Sequence, residues 1–570
     1  MLKLQRRDGQ HRADALDGAM HPVLRRVYAG RGIRASDELI HALDHLLPVG
    51  SLENVDAAAG LIIAHRNSLI TIVGDFDADG ATSTALVMRA LRAFGFEQVD
   101  HLVPNRFEFG YGLTPGLVQI AVARGTRLII TVDNGVAAHD GVAAARAAGI
   151  AVLVTDHHLQ SEQLPAAEVI VNPNMRSSGF ASRSLAGVGV AFYVCAALRR
   201  RLESRGELPA NAPPVTTWLD LVALGTVADV VPLDQNNRVL VAQGLARIRA
   251  GRCVPGITAL LAVAKREPAT LAANDLGFAV GPRINAAGRL ADMSLGIRCL
   301  LSDDAAEART LADELNTLNA QRRQIESEMQ LQALAAVRGL REDRLRRSGV
   351  VLFDPGWHQG VVGLVASRIK EQLRRPVVAF APADEISLRG SARSVPGVHV
   401  RDVLAAIAAR TPGLIERFGG HAMAAGLTLA SDHLDRFAAE FDLEVAAWLA
   451  RCGSPDVLET DGELTEQEVA LSTALVLRDA GPWGCGFPEP VFDGVFEIRS
   501  SRIIGERHLK LQVAAPEGRG VFEAIAFNAV DPVTPAALPR GRLQLVYRLG
   551  VNEYLGDSRL QLVIEHLLPL

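Results

Sequence analysis

Four short apolar segments, each followed directly by a polar residue, constrain the fold of this chain more than any other feature of its 570 residues. Three segments end at Asp75, Asp133 and Asp156, and the fourth ends at Asn172. Continuous apolar strands that alternate with helices are typical of a parallel sheet covered on both faces. Because ligands bind at the carboxyl edge of such a sheet, the pattern predicts an α/β domain with one convergent polar site. The apolar segments span 68–74, 127–132, 150–155 and 169–171, and helix-like stretches span 81–94 and 142–148.

The first polar cluster places three carboxylates at alternate positions, Asp75, Asp77 and Asp79, directly after a strand. Calcium loops also use alternate Asp residues, but they need a bidentate Glu about six residues beyond the glycine. Here Gly80 is followed by Ala-Thr-Ser-Thr-Ala-Leu, so a calcium loop fits poorly. The alternative to a ligand site is a capped turn that feeds the next helix, with Asp79 as the N-cap.

The next two clusters differ in how specific they are. Asp133 precedes Asn-Gly, which on its own predicts a turn. Asp156 precedes two adjacent histidines, and a pair of imidazoles at the end of a buried strand is less routine. A lone His is more often structural, but the pair beside an acid favours His157 as a metal ligand and His158 as a group that faces a phosphate.

The fourth cluster is Asp229, an acid within the otherwise apolar run 224–233. A buried carboxylate must be paired, protonated or bound to a metal. Together the clusters form a mixed set of carboxylate and imidazole groups, which suits Mg²⁺ and Mn²⁺. The number of carboxylates predicts two ions about 3.5–4 Å apart, a pair that generates a hydroxide nucleophile and stabilises displacement at phosphorus. The residues therefore indicate hydrolysis of a phosphoester.

The rest of the chain predicts further structural segments. A long bridging helix begins near Ser302 and continues to about Arg338, with a solvated basic pair at Arg322 and Arg323. A second, smaller α/β unit begins near Val350, and alternating strands after residue 454 predict a small antiparallel barrel. The predicted segments are an N-terminal helical segment 1–67, the parallel-sheet domain 68–301, the bridging helix 302–345, the second α/β domain 346–453 and the barrel 454–570.

Charge and cysteine usage limit the class of protein. The net charge of −5 and the pI of about 6.3 mean that any grip on nucleic acid must be a local groove. Five cysteines without a C-x-x-C pair predict no disulfide framework and no zinc–thiolate site, which favours the cytoplasm. No apolar h-region follows the N-terminus and no uncharged apolar run approaches about 18 residues, so neither a secretory signal nor a membrane span is expected.

These motifs resemble the DHH phosphoesterase superfamily, whose signature is the Asp-His-His at 156–158. The order of the motifs also matches, and a companion DHHA1 domain is indicated further along the chain. With the bridging helix and the barrel, the whole chain is similar to the RecJ family of exonucleases. The other matching motifs are DFDADG at 75–80, PNR at 104–106, DNG at 133–135, GTVADVVPL at 225–233, WHQGVVG at 357–363, SARS at 391–394 and GGHAMAAG at 419–426.

The resemblance implies roles for individual residues. A guanidinium at Arg106 would neutralise phosphate oxygens, and His158 would contact the scissile phosphate. The implied catalytic residues are His158, Asp133 and Arg106. The implied metal ligands are Asp75, Asp77, Asp79, Asp133, His157 and Asp229. The implied substrate-binding residues are Arg106, His158, Arg283, Asn285, Arg289, Ser391, Arg393, Gly419, Gly420 and His421.

The resemblance also implies an activity and partners. Such enzymes degrade single-stranded DNA from 5′ to 3′ into mononucleotides with Mn²⁺ or Mg²⁺, in DNA repair and recombination. Their terminal barrel is an OB-fold, a common platform for single strands. Single-strand DNA-binding protein and repair helicases are the implied partners, and a monomer is the expected assembly.

Two alternatives belong to other classes. A DHH enzyme that acts on short oligonucleotides, cyclic dinucleotides or phosphorylated nucleotides would share the acidic motifs, but such enzymes generally lack the bridging helix and the barrel. A non-catalytic replication protein would keep the fold and lose metal ligands, whereas the acidic set is intact here. Crowded carboxylates without a cation would repel one another.

Overall fold

A computed structural model describes residues 3–8, 16–104, 112–160, 163–338, 347–420, 422–452, 457–505, 507–515, 520–530, 538–554 and 557–570. The chain forms two compact units. The larger unit, called here the DHH unit, consists of 4–288, 292–316 and 459–570, and the smaller unit consists of 1–3, 289–291 and 317–458.

The DHH unit contains a five-stranded sheet in which every pair of neighbours is parallel. Helices Pro115–Ala123 and His139–Ala147 cover one face in a core that includes Val73 and Ile129. The neighbouring Ile130 faces the other side of the sheet and is fully buried as well. The predicted parallel sheet with two covered faces is therefore confirmed. From one edge to the other its strands are Val99–Leu102, Ile70–Gly74, Leu128–Val132, Ala151–Thr155 and Val169–Val171.

A closed five-stranded barrel ends the DHH unit and confirms the predicted terminal barrel. One pair of its strands, Val521–Ala526 and Asp557–Pro569, runs parallel, whereas the prediction was antiparallel throughout. One strand, Val521–Ala526, is absent from the sequence prediction because its apolar residues do not alternate clearly with polar ones. The N-terminal segment also differs from its purely helical prediction, since Lys3–Arg6 is a strand that pairs with Val457–Thr460. In barrel order the strands are Phe492–Ile504, His508–Ala514, Val521–Ala526, Asp557–Pro569 and Gly541–Tyr554.

The smaller unit is built on a mixed five-stranded sheet, which confirms a second α/β unit. Only Val350–Phe353 and Val377–Pro382 run parallel, and the remaining pairs are antiparallel. Phe380, Phe437 and Phe441 form the aromatic centre of its core. In sheet order the strands are Arg417–Gly420, Ala424–Ala430, Ser387–Arg393, Val377–Pro382 and Val350–Phe353.

The long helix spans Ala305–Arg338, and Asp304 caps it by accepting hydrogen bonds from the first N–H groups. Arg322 on this helix is a correction to the sequence analysis. Its side chain is buried and paired with Glu326 one turn later, whereas Arg323 is exposed as expected. A charge pair in sequence does not reveal which member faces the core, because adjacent helical residues point about 100° apart.

Most of the regular structure outside the sheets is α-helical in the described residues. Among the described residues no single helix has both the length and the hydropathy needed to cross a membrane. The two segments Leu43–Ser51 and Val55–Ala64, which are bent relative to each other, meet these criteria only when they are taken together. The α-helices are Pro22–Gly30, Val55–Ala64, Ala78–Ala93, Pro115–Ala123, His139–Ala147, Gly187–Ser204, Leu219–Ala228, Gln235–Arg249, Pro255–Val263, Ala273–Asp275, Gly281–Leu290, Ser294–Leu301, Ala305–Arg338, Val362–Leu373, Val400–Arg410, Leu434–Cys452 and Leu471–Asp479.

Candidate metal centre

The acidic loop after the strand Ile70–Gly74 leads directly into the helix Ala78–Ala93. Asp77 is the N-cap of that helix, and its carboxylate accepts a hydrogen bond from the Gly80 N–H at 3.0 Å. The alternative interpretation of Asp79 as the cap is therefore wrong. Asp79 lies inside the first turn, because the cap position falls two residues earlier.

Asp79 instead ties the loop to a second helix. Its two carboxylate oxygens accept hydrogen bonds from Gly187 N–H at 2.6 Å and from Val188 N–H at 2.9 Å. These are the first N–H groups of the helix Gly187–Ser204, which have no partner within the helix. The positive end of the helix dipole also favours a carboxylate at this position.

Asp133 follows the central strand in a left-handed backbone conformation, with φ of 61°. Asp is one of the few non-glycine residues that adopt this conformation readily. The turn is held by Asn134, whose side-chain amide donates to the carbonyls of Val73 and Val132. Asp133 is consequently buried at the sheet edge, with only 1% of its surface exposed.

Asp156 anchors the histidine pair. One carboxylate oxygen accepts from the backbone N–H groups of His157 at 2.8 Å and His158 at 3.1 Å, and it lies 2.7 Å from the His158 Nδ1. The other oxygen accepts from the Val136 N–H at 2.8 Å. A single buried carboxylate thus fixes both the backbone and one ring of the pair.

The neighbouring strand supplies a second set of anchors for the same histidines. Asn172 donates its side-chain amide to the His158 carbonyl at 2.8 Å, and Asn174 donates to the His157 carbonyl at 2.5 Å. Asn172, the polar residue that follows the edge strand Val169–Val171, is therefore part of the site as a support for the histidine backbone.

Asp229 reaches the cluster from a helix and not from a strand. It is the C-cap of Leu219–Ala228, and its side chain is 22% exposed. The His157 Nε2 lies 3.5 Å from an Asp229 oxygen and 3.1 Å from an Asp133 oxygen. His157 thus connects the sheet edge with the end of this helix.

The predicted metal-binding residues lie in three overlapping triads, one of which also includes His158, the predicted phosphate contact. Within each triad, the candidate ligand atoms all lie within 4.8 Å of one another. Asp133 and His157 are each shared between two triads, so the set is continuous. The triads are Asp75 with Asp77 and Asp133, Asp133 with His157 and His158, and Asp79 with His157 and Asp229.

The carboxylates of this cluster destabilise one another's charged forms. Burial, together with the charge of Asp77, raises the pKa of Asp79 to about 7. Burial also raises the pKa of Asp133 and that of Asp229, and the surrounding Asp residues add to both increases. A bound cation would offset this repulsion, because a divalent ion is the largest local charge in such a site.

The anchor pair behaves in the opposite way. Burial alone would raise the pKa of Asp156, but the His158 ring and the hydrogen bonds outweigh it and lower the pKa to about 2. Burial would likewise lower the pKa of His158, but Asp156 outweighs it and raises the pKa to about 9. His158 therefore carries a positive charge at neutral pH.

Two glycines allow the elements of the site to approach closely. A Cβ on Gly187 would lie 2.6 Å from the Asp133 Cβ, and one on Gly225 would lie 2.9 Å from an Asp79 oxygen. Real Cβ atoms do not approach other atoms that closely. A larger residue at either position would therefore force its helix away from the site. Glycine in a sequence gives no direct sign of such a contact, and sequence analysis did not single out either one for packing.

The predicted substrate-binding residues of the DHH unit that the structure describes form hydrogen bonds within the protein. Asn285 accepts a hydrogen bond from the Ala78 N–H at 2.7 Å, which ties its helix to the acidic loop. Arg283 is buried and donates to the Asn316 side chain at 3.0 Å. Arg106 lies outside the described residues.

The remaining predicted substrate residues belong to the smaller unit. Arg393 donates to the Ser391 hydroxyl at 2.8 Å, and burial lowers the pKa of its guanidinium. Arg289 donates to the Gly360 carbonyl at 3.2 Å. A Cβ added to Gly419 would have no neighbouring atom within 4 Å. Gly420 has a φ of 139°, and a Cβ there would lie 2.4 Å from the Ala424 carbonyl oxygen on the next strand. His421 lies outside the described residues.

Three family models match the chain and account for its three main parts. The N-terminal domain model of the DHH family matches residues 69–226, the DHHA1 domain model matches 347–447, and the RecJ OB domain model matches 460–566. The three ranges together cover more than half of the chain. The predicted OB-fold at the C-terminus is thereby confirmed.

Curated relatives and solved structures agree with these models. The single-stranded-DNA-specific exonuclease RecJ of Escherichia coli is 50% identical over 100% of this chain and 99% of its own length. The protein of the same name from Thermus thermophilus is 34% identical over 94% of this chain and 78% of its own length. A crystal structure of RecJ in complex with Mn²⁺, also from Thermus thermophilus, covers 99% of this chain and 79% of that chain, with a TM-score of 0.79 and 30% identity. The chain belongs to the RecJ family.

Proposed function

We propose that this chain is a metal-dependent exonuclease that hydrolyses the phosphodiester bonds of single-stranded DNA from 5′ to 3′ and releases mononucleotides. The observation that carries the proposal is the set of three overlapping Asp and His triads, within each of which the candidate ligand atoms lie within 4.8 Å of one another. Relatives at 50% identity are named for the same substrate. DNA repair and recombination are the predicted cellular setting.

The donor set fits two Mn²⁺ or Mg²⁺ ions. Carboxylate oxygens with one or two imidazoles suit these metals, and solved RecJ structures are described with each of them. When bound, such ions lower the pKa of water and neutralise charge on a phosphate. The residues that would hold them are Asp75, Asp77, Asp79, Asp133, His157 and Asp229.

The chain's own groups would position the phosphate. Asp156 keeps the His158 ring protonated and fixed in place, so a positive charge stands beside the carboxylates. A phosphate oxygen is the natural partner of that charge. Asp133, at the centre of two triads, connects the groups that reach the site from different elements.

Arg393 in the smaller unit has the character of an anion site. Its guanidinium is held by the Ser391 hydroxyl and the Ala392 carbonyl, and among the described residues it forms no ion pair with a carboxylate. A partly buried guanidinium without a counter-charge is completed favourably by an anion. A DNA phosphate would do so, in agreement with the predicted role of Ser391 and Arg393. Arg283, Asn285, Arg289, Gly419, Gly420 and His421 remain predicted substrate residues.

An end-labelled substrate tests the proposed activity. A long single strand labelled at either the 5′ or the 3′ end is incubated with Mn²⁺ or Mg²⁺, and a blunt duplex and a dinucleotide are compared in parallel. We expect labelled mononucleotides to appear first from the 5′ end, little digestion of the duplex, and no reaction with excess chelator until Mn²⁺ is restored.

Other results would contradict the proposal in distinguishable ways. Early release of the 3′ label would contradict the polarity, and turnover of the dinucleotide alone would favour the small-substrate enzymes of the superfamily. Metal binding without any hydrolysis would favour a non-catalytic relative. Single-strand DNA-binding protein and repair helicases stay predicted partners, and the monomer stays a predicted assembly.

A further inference from the structure

Two exposed apolar side chains lie on elements of the DHH unit that contribute to the metal centre or support it. Phe278 is 78% exposed, which makes it the most exposed large hydrophobic side chain among the described residues. Val230 is 66% exposed and directly follows Asp229. A ligand that covered these two side chains would bury apolar surface and gain free energy from it.

The two residues belong to elements that pack against each other. Phe278 lies in a π-turn, Leu276–Val280, which contains Gly277 and is followed by Gly281. A Cβ on Gly277 would lie 3.2 Å from the Val227 side chain, and one on Gly281 would lie 3.0 Å from the Ala228 Cβ. The π-turn therefore packs against the last turn of the helix Leu219–Ala228, whose C-cap is Asp229.

The same turn is also connected to the acidic loop. It leads into the helix Gly281–Leu290, from which Asn285 holds the Ala78 N–H next to Asp77. Phe278 and Val230 thus belong to two packed elements, one of which leads out of the metal centre at Asp229 and the other of which leads into the helix that supports its acidic loop. Single π-turns of this kind occur frequently at functional sites.

Val230 is held in a conformation that disfavours its side chain. Its φ is 62°, and a β-branched residue in this left-handed region is a genuine outlier. Gly or Asn would adopt the same backbone at lower cost. Nothing in the packing of the fold explains a valine here, because most of its side chain is in contact with solvent.

We propose that Phe278 and Val230 form a contact surface for the unpaired nucleobase of the strand whose phosphate lies at the metal centre. The inference rests on the proposed function and adds a base-recognition element to it. An aromatic face accepts any base by stacking, so the contact is independent of sequence. In a duplex the end base is held by pairing as well as by stacking, and moving it onto this surface costs the free energy of unpairing, so the surface favours single strands.

Abasic substrates separate a base contact from a backbone contact. Two single strands of equal length are compared with Mn²⁺, one with normal bases and one with abasic nucleotides at its first 5′ positions. We expect Phe278→Ala to lower kcat/KM about tenfold on the normal strand and to leave kcat/KM on the abasic strand unchanged. Phe278→Trp should retain the wild-type preference. Val122→Ala, which truncates an exposed valine on the helix Pro115–Ala123, is the matched control and should change neither rate.

Val230→Gly supplies an independent test, because it removes the side chain and the backbone strain together. We expect a melting temperature at or above that of the wild type and a kcat/KM several-fold lower on the normal strand only. Equal losses on both strands, or no loss on either, would overturn the inference. If the wild type itself degraded no single strand, the proposed function would fail instead.

Discussion

Replacing Asp133 with Asn is expected to lower the rate of single-strand hydrolysis by at least about 10²-fold, the order expected when a positioned catalytic group is lost. Asp133 offers ligand atoms to two of the three triads at the sheet edge. An amide keeps the size of the side chain but supplies no negative charge to a metal. The rate on an end-labelled single strand with Mn²⁺ is the measurement.

The same substitution should stabilise the metal-free protein. Burial and the neighbouring Asp residues raise the pKa of Asp133, so its ionised form is unfavourable in the folded state. A carboxyl group whose pKa is higher in the folded than in the unfolded state stabilises the fold fully at pH values below its unfolded pKa. That contribution is lost as the pH rises through its folded pKa. Every tenfold difference in proton affinity between the folded and unfolded states corresponds to about 1.4 kcal/mol.

Thermal unfolding in chelator therefore accompanies the rate measurement. We expect Asp133→Asn to melt at a higher temperature than the wild type at pH 8, with a smaller difference at pH 5. Asp140→Asn, an exposed acid on the helix His139–Ala147, should change neither the rate nor the melting temperature. A variant that is inactive and also less stable would indicate a structural role for Asp133 and contradict the electrostatic account.

Asp156→Asn is expected to lower activity by about 10- to 100-fold, the usual cost of losing a group that orients metal ligands. The Asp156 carboxylate accepts hydrogen bonds from the backbone of Val136 and of both histidines, and it faces the His158 Nδ1. An amide has a single acceptor oxygen and cannot satisfy all of these donors. It also removes the charge that holds the pKa of His158 at about 9.

NMR titration of the His158 ring separates this role from general loss of structure. In the variant, the pKa of His158 should fall, because burial is then opposed only by the more weakly acting carboxylates of Asp75 and Asp229. The wild-type and variant proteins are compared without metal and at equal concentration. A variant that kept both a wild-type rate and an unchanged His158 titration would contradict the assigned role of Asp156.

The sequence predicted the parallel sheet and its polar edge because both depend on local pattern. Each central strand is a fully buried apolar run, and the residue after it must lie at the carboxyl edge. The edge strand Val99–Leu102 was missed, since its two central residues are Asp100 and His101. A half-exposed edge strand carries too few apolar residues to produce a pattern.

The supporting contacts of the site were beyond sequence reasoning. Asp79 holds the start of the helix at Gly187, more than one hundred residues later, and only the tertiary structure brings the two together. Asp229 lies at a helix end, although its apolar surroundings in sequence gave no sign of which element would carry it. Arg322 is buried because of the face of its helix, which the charge pair alone does not define.

Anomalous diffraction from crystals soaked with Mn²⁺ would test the shared-metal account most directly. The account predicts two peaks about 3.5–4 Å apart, each within bonding distance of oxygens or imidazole nitrogens from the set Asp75, Asp77, Asp79, Asp133, His157 and Asp229. Crystals that bind Mn²⁺ only elsewhere on the protein, with no peak among these side chains, would contradict it.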